Sequence, residues 1–199
     1  MTRIAPEDES LHQLQRSMGE REIAGGRART AVLRRRYQAA PEDVWHAITT
    51  PERIDRFFLP VRGDLRVGGH FSVEGQASGR ILACEPPTLL RLEWVPPGGG
   101  EHVDQVEVRL IADGQDATWL ELEHASTADI FNFDLGSGCY SPAIGWEGPL
   151  HYLGEHLRGT VPDAPGAEWY VYDEAEEVRL GQLRAIEWSK AESNSALRP

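Results

Sequence analysis

The feature that most constrains this chain is a series of short apolar runs, each alternating with polar residues and closed by glycine or proline. The runs span residues 64–67, 70–74, 79–85, 89–95, 102–112 and 117–124, with Gly68-Gly69, Pro86-Pro87 and Pro96 among the breaks. Period-two alternation with turn residues at such spacing predicts a meander of antiparallel strands. Parity puts Leu90, Leu92 and Trp94 on one face, and likewise Val106, Val108 and Leu110, and then Leu120, Leu122 and His124. One face of the sheet is therefore apolar and needs a cover.

The cover is the segment beginning at Ser141-Pro142, where Trp146, Leu150, Leu153 and Leu157 fall on one helical stripe. Each large apolar side chain buried there contributes about 1.5–3 kcal/mol, an upper bound for a chain that is already compact when unfolded. Pro149 interrupts the pattern, since a proline inside a helix costs about 3 kcal/mol. The helix either kinks at Pro149 or has its regular part start there.

Upstream, residues 30–39 carry Ala31, Leu33, Tyr37 and Ala39 on one parity, which predicts the first strand. Pro41, Glu42 and Asp43 ahead of Val44, Trp45 and Ile48 predict a short helix, and Thr50-Pro51 ahead of Ile54, Phe57 and Phe58 predicts a second. Residues 1–29 read as a partly flexible N-terminal arm with weak apolar spacing at Leu11, Leu14 and Met18. Pro162 and Pro165 mark a hinge. Residues 161–199 then read as an acidic helical extension, with a helix over 168–190 that carries Tyr172, Val178, Leu183, Ile186 and Trp188 loosely on one side and is weakened by Gly181. The 199 residues, 40% of them hydrophobic, suit one well-buried core over 30–160 with decorated ends. The expected class is α+β: a curved antiparallel sheet wrapped around a long C-terminal helix, with two short helices after strand one.

A formal net charge of -12 opposes a nucleic-acid surface, which needs clustered cations to displace the counterions of a polyanion. The one basic run, Arg34 to Arg36, lies in a predicted strand and reads as an edge or solvent-facing stripe. No stretch reaches the roughly 20 apolar residues of a membrane span, and the first residues are polar and charged, so a cytoplasmic protein without membrane contact is expected. Cys84 and Cys139 show no CxxC spacing and read as idle thiols.

Local patterns narrow the fold further. They are Ala40-Pro41-Glu42-Asp43-Val44-Trp45 with Thr50-Pro51, then Asp64-Leu65-Arg66-Val67-Gly68-Gly69-His70-Phe71, and Gly79-Arg80-Ile81 followed by Pro86-Pro87. The strand of Leu120, Leu122 and His124 continues them, as does Gly145-Trp146 leading into Leu150, Leu153 and Leu157. With these the chain resembles the activator of heat-shock-protein-90 ATPase homologue-like branch of the START-like (SRPBCC) superfamily, over residues 30–159. The resemblance implies a helix-grip fold around an apolar cavity, and it implies fold more firmly than activity.

The expected cavity wall comprises Trp45, Phe57, Phe71, Leu90, Leu92, Trp94, Val106, Val108, Leu120, Leu122, Trp146, Leu150 and Leu153, residues that equally well fill a core. His124 is the one titratable side chain with inward parity, a weak candidate for orienting a ligand or acting as acid or base, against the plainer reading of a satisfied histidine at a strand end. Phe131 and Phe133, with Ile130 and Leu135, make the 125–140 loop unusually apolar. Two readings stay open for it, a lid over the cavity mouth or a loop folded onto the body. His151 and His156 are five apart, so they miss metal-ligand spacing, and no metal or cofactor is expected. With no GxSxG, phosphate loop or Cys–His arrangement, a catalytic role would rest on His124 alone.

Three functions follow, in this order: binding of a small hydrophobic or amphipathic ligand, a co-chaperone or other protein-interaction role, and a cyclase- or hydrolase-like enzyme. The co-chaperone role is implied by the resemblance alone and is weakened by the missing chaperone-binding domain. Self-association through Trp169, Tyr170, Tyr172 and Trp188 stands beside the alternative that these aromatics pack back on their own chain.

Overall fold

The computed structural model describes residues 11–99, 103–133, 141–161 and 174–196. A turn of 3-10 helix at Leu11–Gln13 leads into β1 (Leu14–Ile23) and β2 (Gly26–Tyr37). Helices α1 (Pro41–Thr49) and α2 (Pro51–Ile54) follow, each with a proline in its first turn as expected. Then come β3 (Val61–Gly63), β4 (His70–Val73), β5 (Ala77–Glu85), β6 (Leu89–Trp94), β7 (Asp104–Ala112) and β8 (Thr118–Ser126). Helices α3 (Pro142–Gly145), α4 (Glu147–Leu157) and α5 (Glu174–Ala196) complete the described chain. The eight strands form one sheet in the order β1-β2-β8-β7-β6-β5-β4-β3, and the register of each neighbouring pair is antiparallel. This is the α+β helix-grip architecture.

Two expectations about the sheet are corrected. The supposed arm contains β1, which pairs with β2 from Leu14↔Arg35 to Ile23↔Gly26, so the short helices follow strand two. β1 alternates its burial only weakly, and Arg16 and Arg21 at half-buried positions hid it from a hydrophobic reading. Residues 64–67 are not a strand: β3 lies just before them and the chain turns there.

Register explains how the inner face is built. Leu90, Val108, Leu122, Leu33 and Arg16 lie opposite one another across five strands, and Leu92, Val106, His124, Ala31 and Met18 form the parallel row. A third row runs Leu110, Leu120, Arg35 and Leu14. Arg35 is thus inward and buried, which corrects the solvent-stripe reading for the middle of the basic run. Its guanidinium donates to the Leu150 carbonyl at 3.4 Å and to Gln13 Oε1 at 3.3 Å, and the Tyr37 hydroxyl donates to the same carbonyl at 2.8 Å. Arg34 stacks 4.6 Å over Trp119, and Arg36 pairs with Asp113 at 2.6 Å, both on the outer face.

Closure comes from α4, whose Leu150 and Leu153 are buried against the sheet. Pro149 does not begin the regular helix, which starts at Glu147, and the helical run from Pro142 is interrupted at Trp146, between α3 and α4. Trp146 caps it, so Pro149 sits at the third helical position, where a backbone N–H has no partner within the helix. The first regular bond runs from Leu150 N to Trp146 O at 3.2 Å.

Helix α5 packs on β1, and its Leu180, Ala185, Trp188 and Ala191 are buried. The looser stripe read from the sequence is corrected, because Val178 and Ile186 are exposed. Trp188 packs back on its own chain: it stacks on Phe133 with ring centres 5.3 Å apart and donates to Glu147 Oε1 at 2.8 Å. Trp169, Tyr170, Tyr172 and the proline hinge lie outside the described residues.

Glu147 is the joint between these pieces. Arg16 reaches it with two bonds, of 2.8 and 2.7 Å, and Arg184 stands 3.8 Å away. Burial drives the Glu147 carboxyl upward from its usual range, against the pull of Arg16 and Trp188. Removing one member of a buried pair strands the other, at a cost of about 3 kcal/mol or more. Arg16→Met is therefore expected to lower stability in urea unfolding by about 3 kcal/mol, and the Arg16→Met, Glu147→Met double variant is expected to lose less than either single one.

Candidate functional site

Between the apolar sheet face and α4 lies a cavity of about 220 Å³. For scale, an engineered dry cavity of about 150 Å³ accepts benzene. Its floor is built by alternating residues of the central strands: Leu90, Leu92 and Trp94 from β6, Val106 and Val108 from β7, and Leu120 and Leu122 from β8. Phe71 of β4 adds to the floor, Phe57 follows α2, and Trp146, Leu150 and Leu153 descend from the closing helix. These twelve of the expected wall residues come together around one space.

Trp45 and His124 do not line it. Trp45 is buried in the core on α1. His124 lies beyond the wall, where its Nε2 is 3.1 Å from Asp104 Oδ2 and its Nδ1 accepts the Trp146 indole N–H at 3.1 Å. An indole N–H only donates, so Nδ1 is the unprotonated nitrogen and Nε2–H points to Asp104. Both nitrogens are engaged, and the ring packs against Phe131 and Trp146. Sequence reasoning missed Asp104. It stands at the start of β7 within a charged stretch, and only the β7–β8 register brings it near His124.

The lid reading of the 125–140 loop is corrected for its described part. Phe131 and Phe133 are buried and belong to the core, with Phe131 edge-on to the His124 ring at 5.8 Å and Phe133 against Trp188. Leu135 and the rest of that loop lie outside the described residues.

An aromatic corner occupies one side of the cavity. Trp94 and Trp146 have ring centres 4.9 Å apart, Phe71 stands 6.1 Å from Trp94, and Phe58 stands 6.0 Å from Trp146. The helical side adds Ile48, Pro51, Ile54 and Pro149, and β3 to β5 add Val61, Val73 and Ile81. Ile48, Ile54 and Phe58 carried a signal in the helical spacing after residue 41. Polar side chains enter at one end, with Thr49, Arg62 and Asp64 beside the half-exposed Leu65. Thr49 ends α1, Arg62 lies in the three-residue β3, and Asp64 and Leu65 lie where the chain turns after it, a segment that period-two alternation reads as a strand.

Among the described residues, no group of three or more His, Cys, Asp or Glu is disposed to hold a metal ion. Burial pushes the Cys84 thiol up from its ordinary value, which leaves it largely protonated.

The fold and the apolar cavity define the class of protein: a helix-grip domain of the SRPBCC type. Residues 38–139 match the family model described as activator of Hsp90 ATPase homolog 1-like protein, and the chain belongs to that family. It is also similar to CalU16 from Micromonospora echinospora. The crystal structure is 38% identical, with 89% of this chain and 97% of that one covered and a TM-score of 0.71. The solution structure is 39% identical over 92% and 96%, with a TM-score of 0.75. PFC0360w, an HSP90 activator from Plasmodium falciparum, shares the fold at 24% identity over 67% of this chain and 97% of that one, with a TM-score of 0.55. No curated protein sequence matched.

One ionisable group sits directly behind the wall. His156 packs on Phe57 with ring centres 5.5 Å apart and accepts from Arg53 Nε at 3.1 Å. Burial first, then Arg53 and Arg56, hold it below the ordinary histidine value of 6.5. The unfolded chain therefore takes up this proton before the folded one does. The stability that neutral His156 contributes is complete above the unfolded value and is lost as pH falls from there through the folded one. Urea midpoints measured from about pH 7 to about pH 5 should fall more steeply for the native sequence than for His156→Gln.

Proposed function

We propose that this protein binds a small hydrophobic or amphipathic molecule in the cavity beneath α4, without acting on it chemically. The observation that carries this is the cavity itself, closed by α4 on one side and the sheet on the other, apolar except at one end. Aromatic and aliphatic walls with few polar groups are what small-molecule sites use to remove ligand surface from water. The noncatalytic part rests on His124, whose two nitrogens are already committed to Asp104 and Trp146. A cytoplasmic location belongs to the same proposal, since no described helix is long and apolar enough to cross a membrane.

The test is saturable binding of the uncharged dye N-phenyl-1-naphthylamine, followed by its fluorescence. Val108 and Leu92 line the cavity without being fully buried, so Val108→Phe and Leu92→Phe place added volume in the open space. Each variant is expected to weaken dye binding about tenfold while keeping a cooperative melt, because overpacking here costs no more than about 1–3 kcal/mol. Absence of saturable binding to the native protein sinks the proposal.

A second reading draws on the family description and on the printed role of PFC0360w: docking to an Hsp90-type chaperone. A rise in the chaperone's ATPase rate on adding this protein would support it, and an unchanged rate with no measurable complex would remove it.

A further inference from the structure

The exposed residues of the cavity lining are Pro51 and the run from Arg62 to Leu65, and there the charge accounting of the fold has one imbalance. Arg62 of β3 lines the cavity and is exposed. Among the described residues it is the arginine for which the structure shows no ion pair, hydrogen bond or ring contact. In a chain of formal net charge -12, the other described arginines have partners.

The two carboxylates that line the cavity or the cleft beside it are taken. Asp64, the other charged residue of the cavity lining, accepts from Arg66 Nε at 2.5 Å. Glu93 holds Arg80 through two bonds, of 2.9 and 2.7 Å, and that pair lies in a shallow polar cleft whose lining includes Arg62, Gly63 and Phe71, residues it shares with the cavity. Arg80 keeps the Glu93 carboxyl below its usual range although burial opposes it, so this carboxylate stays charged and engaged with Arg80. His70 is the remaining titratable group of the cleft, and it adds no negative charge.

Backbone geometry holds Arg62 at this place. Gly63 has φ +151°, and a Cβ there would stand 2.5 Å from the His70 carbonyl oxygen and 2.7 Å from Phe71 Cα. β3 therefore presses against β4 more closely than any side chain would allow. The register Gly63↔Phe71 fixes Arg62 one residue from the aromatic wall. Apolar lining on one side and an uncompensated guanidinium at the rim form a two-part site.

We infer that the molecule held in the cavity is an amphiphile with a single carboxylate head, its apolar body against Trp94, Trp146 and Leu122 and its head on Arg62. This rests on the cavity-binding reading and names the class of ligand. A guanidinium matches a carboxylate with two parallel N–H bonds, which a hydroxyl cannot reproduce. Arg62 is solvent-exposed, so its contribution is modest and sensitive to salt.

The experiment compares decanoate with decanol by titration calorimetry, below their aggregation limits, on the native protein, Arg62→Ala and Arg62→Glu. Decanoate is expected to bind the native protein and to weaken about fivefold in Arg62→Ala and further in Arg62→Glu, with added salt shrinking the difference. Decanol is expected to bind all three alike. If both ligands bind and Arg62→Ala changes decanoate no more than decanol, the head-group assignment is overturned and the cavity reading stands. Decanol binding without decanoate binding overturns the head-group assignment in the same way. If neither binds the native protein, the cavity reading fails and this inference fails with it.

Discussion

Arg16 occupies a position on the inner face of the sheet that the pattern of the other strands would give to an aliphatic residue. It continues the row of Leu90, Val108, Leu122 and Leu33 on the fifth strand, where a cation without an acceptor would be prohibitively costly to bury. The acceptor is Glu147, the first residue of α4, and the remaining carboxylate capacity is met by Trp188 of α5. Three segments far apart in sequence must therefore be in place together before any of these groups is satisfied. Apolar burial alone allows α4 to slide or rotate over the sheet with little penalty. The buried ion pair sets where its N-terminus lies, and with it where Trp146 and Leu150 stand over the cavity.

The cavity follows from that placement. α4 is anchored at its start over β1 by Glu147 and along its length over β2, where Arg35 and Tyr37 both bond the Leu150 carbonyl. Both anchors draw the helix toward the β1–β2 end of the sheet. The space left open lies between α4 and the middle of the sheet, β6 to β8, and α2 with the side chains of β3 to β5 closes its far side. Protein interiors seldom tolerate such space, since unfilled volume forfeits dispersion contacts. The large rings of Phe58, Phe71, Trp94 and Trp146 reduce the loss without removing it.

Much of this was legible in the sequence. Parity identified the floor residues Leu90 to Trp94, Val106, Val108, Leu120 and Leu122, because a half-buried strand writes its inner face into every second position. Helical spacing identified Trp146, Leu150 and Leu153. What escaped was whatever depends on long-range register or on charge. β1 is hard to read because its inner face carries Arg16 and its polar residues mask the alternation. Parity did point Arg35 inward, yet an arginine on an apolar face is a signal only when its acceptor is known, and Leu150 O lies 115 residues away. His124 is inward, as its parity indicates, but stands outside the cavity wall, since Asp104 and Phe131 reach it only through the fold. The proline in α4 misleads because its cost depends on position within the helix, and the start of the helix at Glu147 is not marked by a capping side chain.

Polar groups are distributed by the same logic of matching. On the inner face Arg16 is matched by Glu147, Arg35 by Leu150 and Gln13, and His124 by Asp104 and Trp146, each partner coming from another part of the fold. On the outer face Glu107 stands directly opposite Glu123, a like-charge pairing that would oppose the β7–β8 ladder. Arg91 and Arg109 converge on Glu107, and Arg21 takes Glu123 at 2.5 Å. Burial acts to raise the Glu107 carboxyl, yet the two arginines outweigh it and hold the group below its usual range. A fold that matches charges this thoroughly within its sheet leaves Arg62 as a departure located at the rim of its one large apolar space among the described residues. Stability does not require a charge there, and a ligand that brings its own carboxylate would complete the same pattern of matched groups that runs through the rest of the sheet.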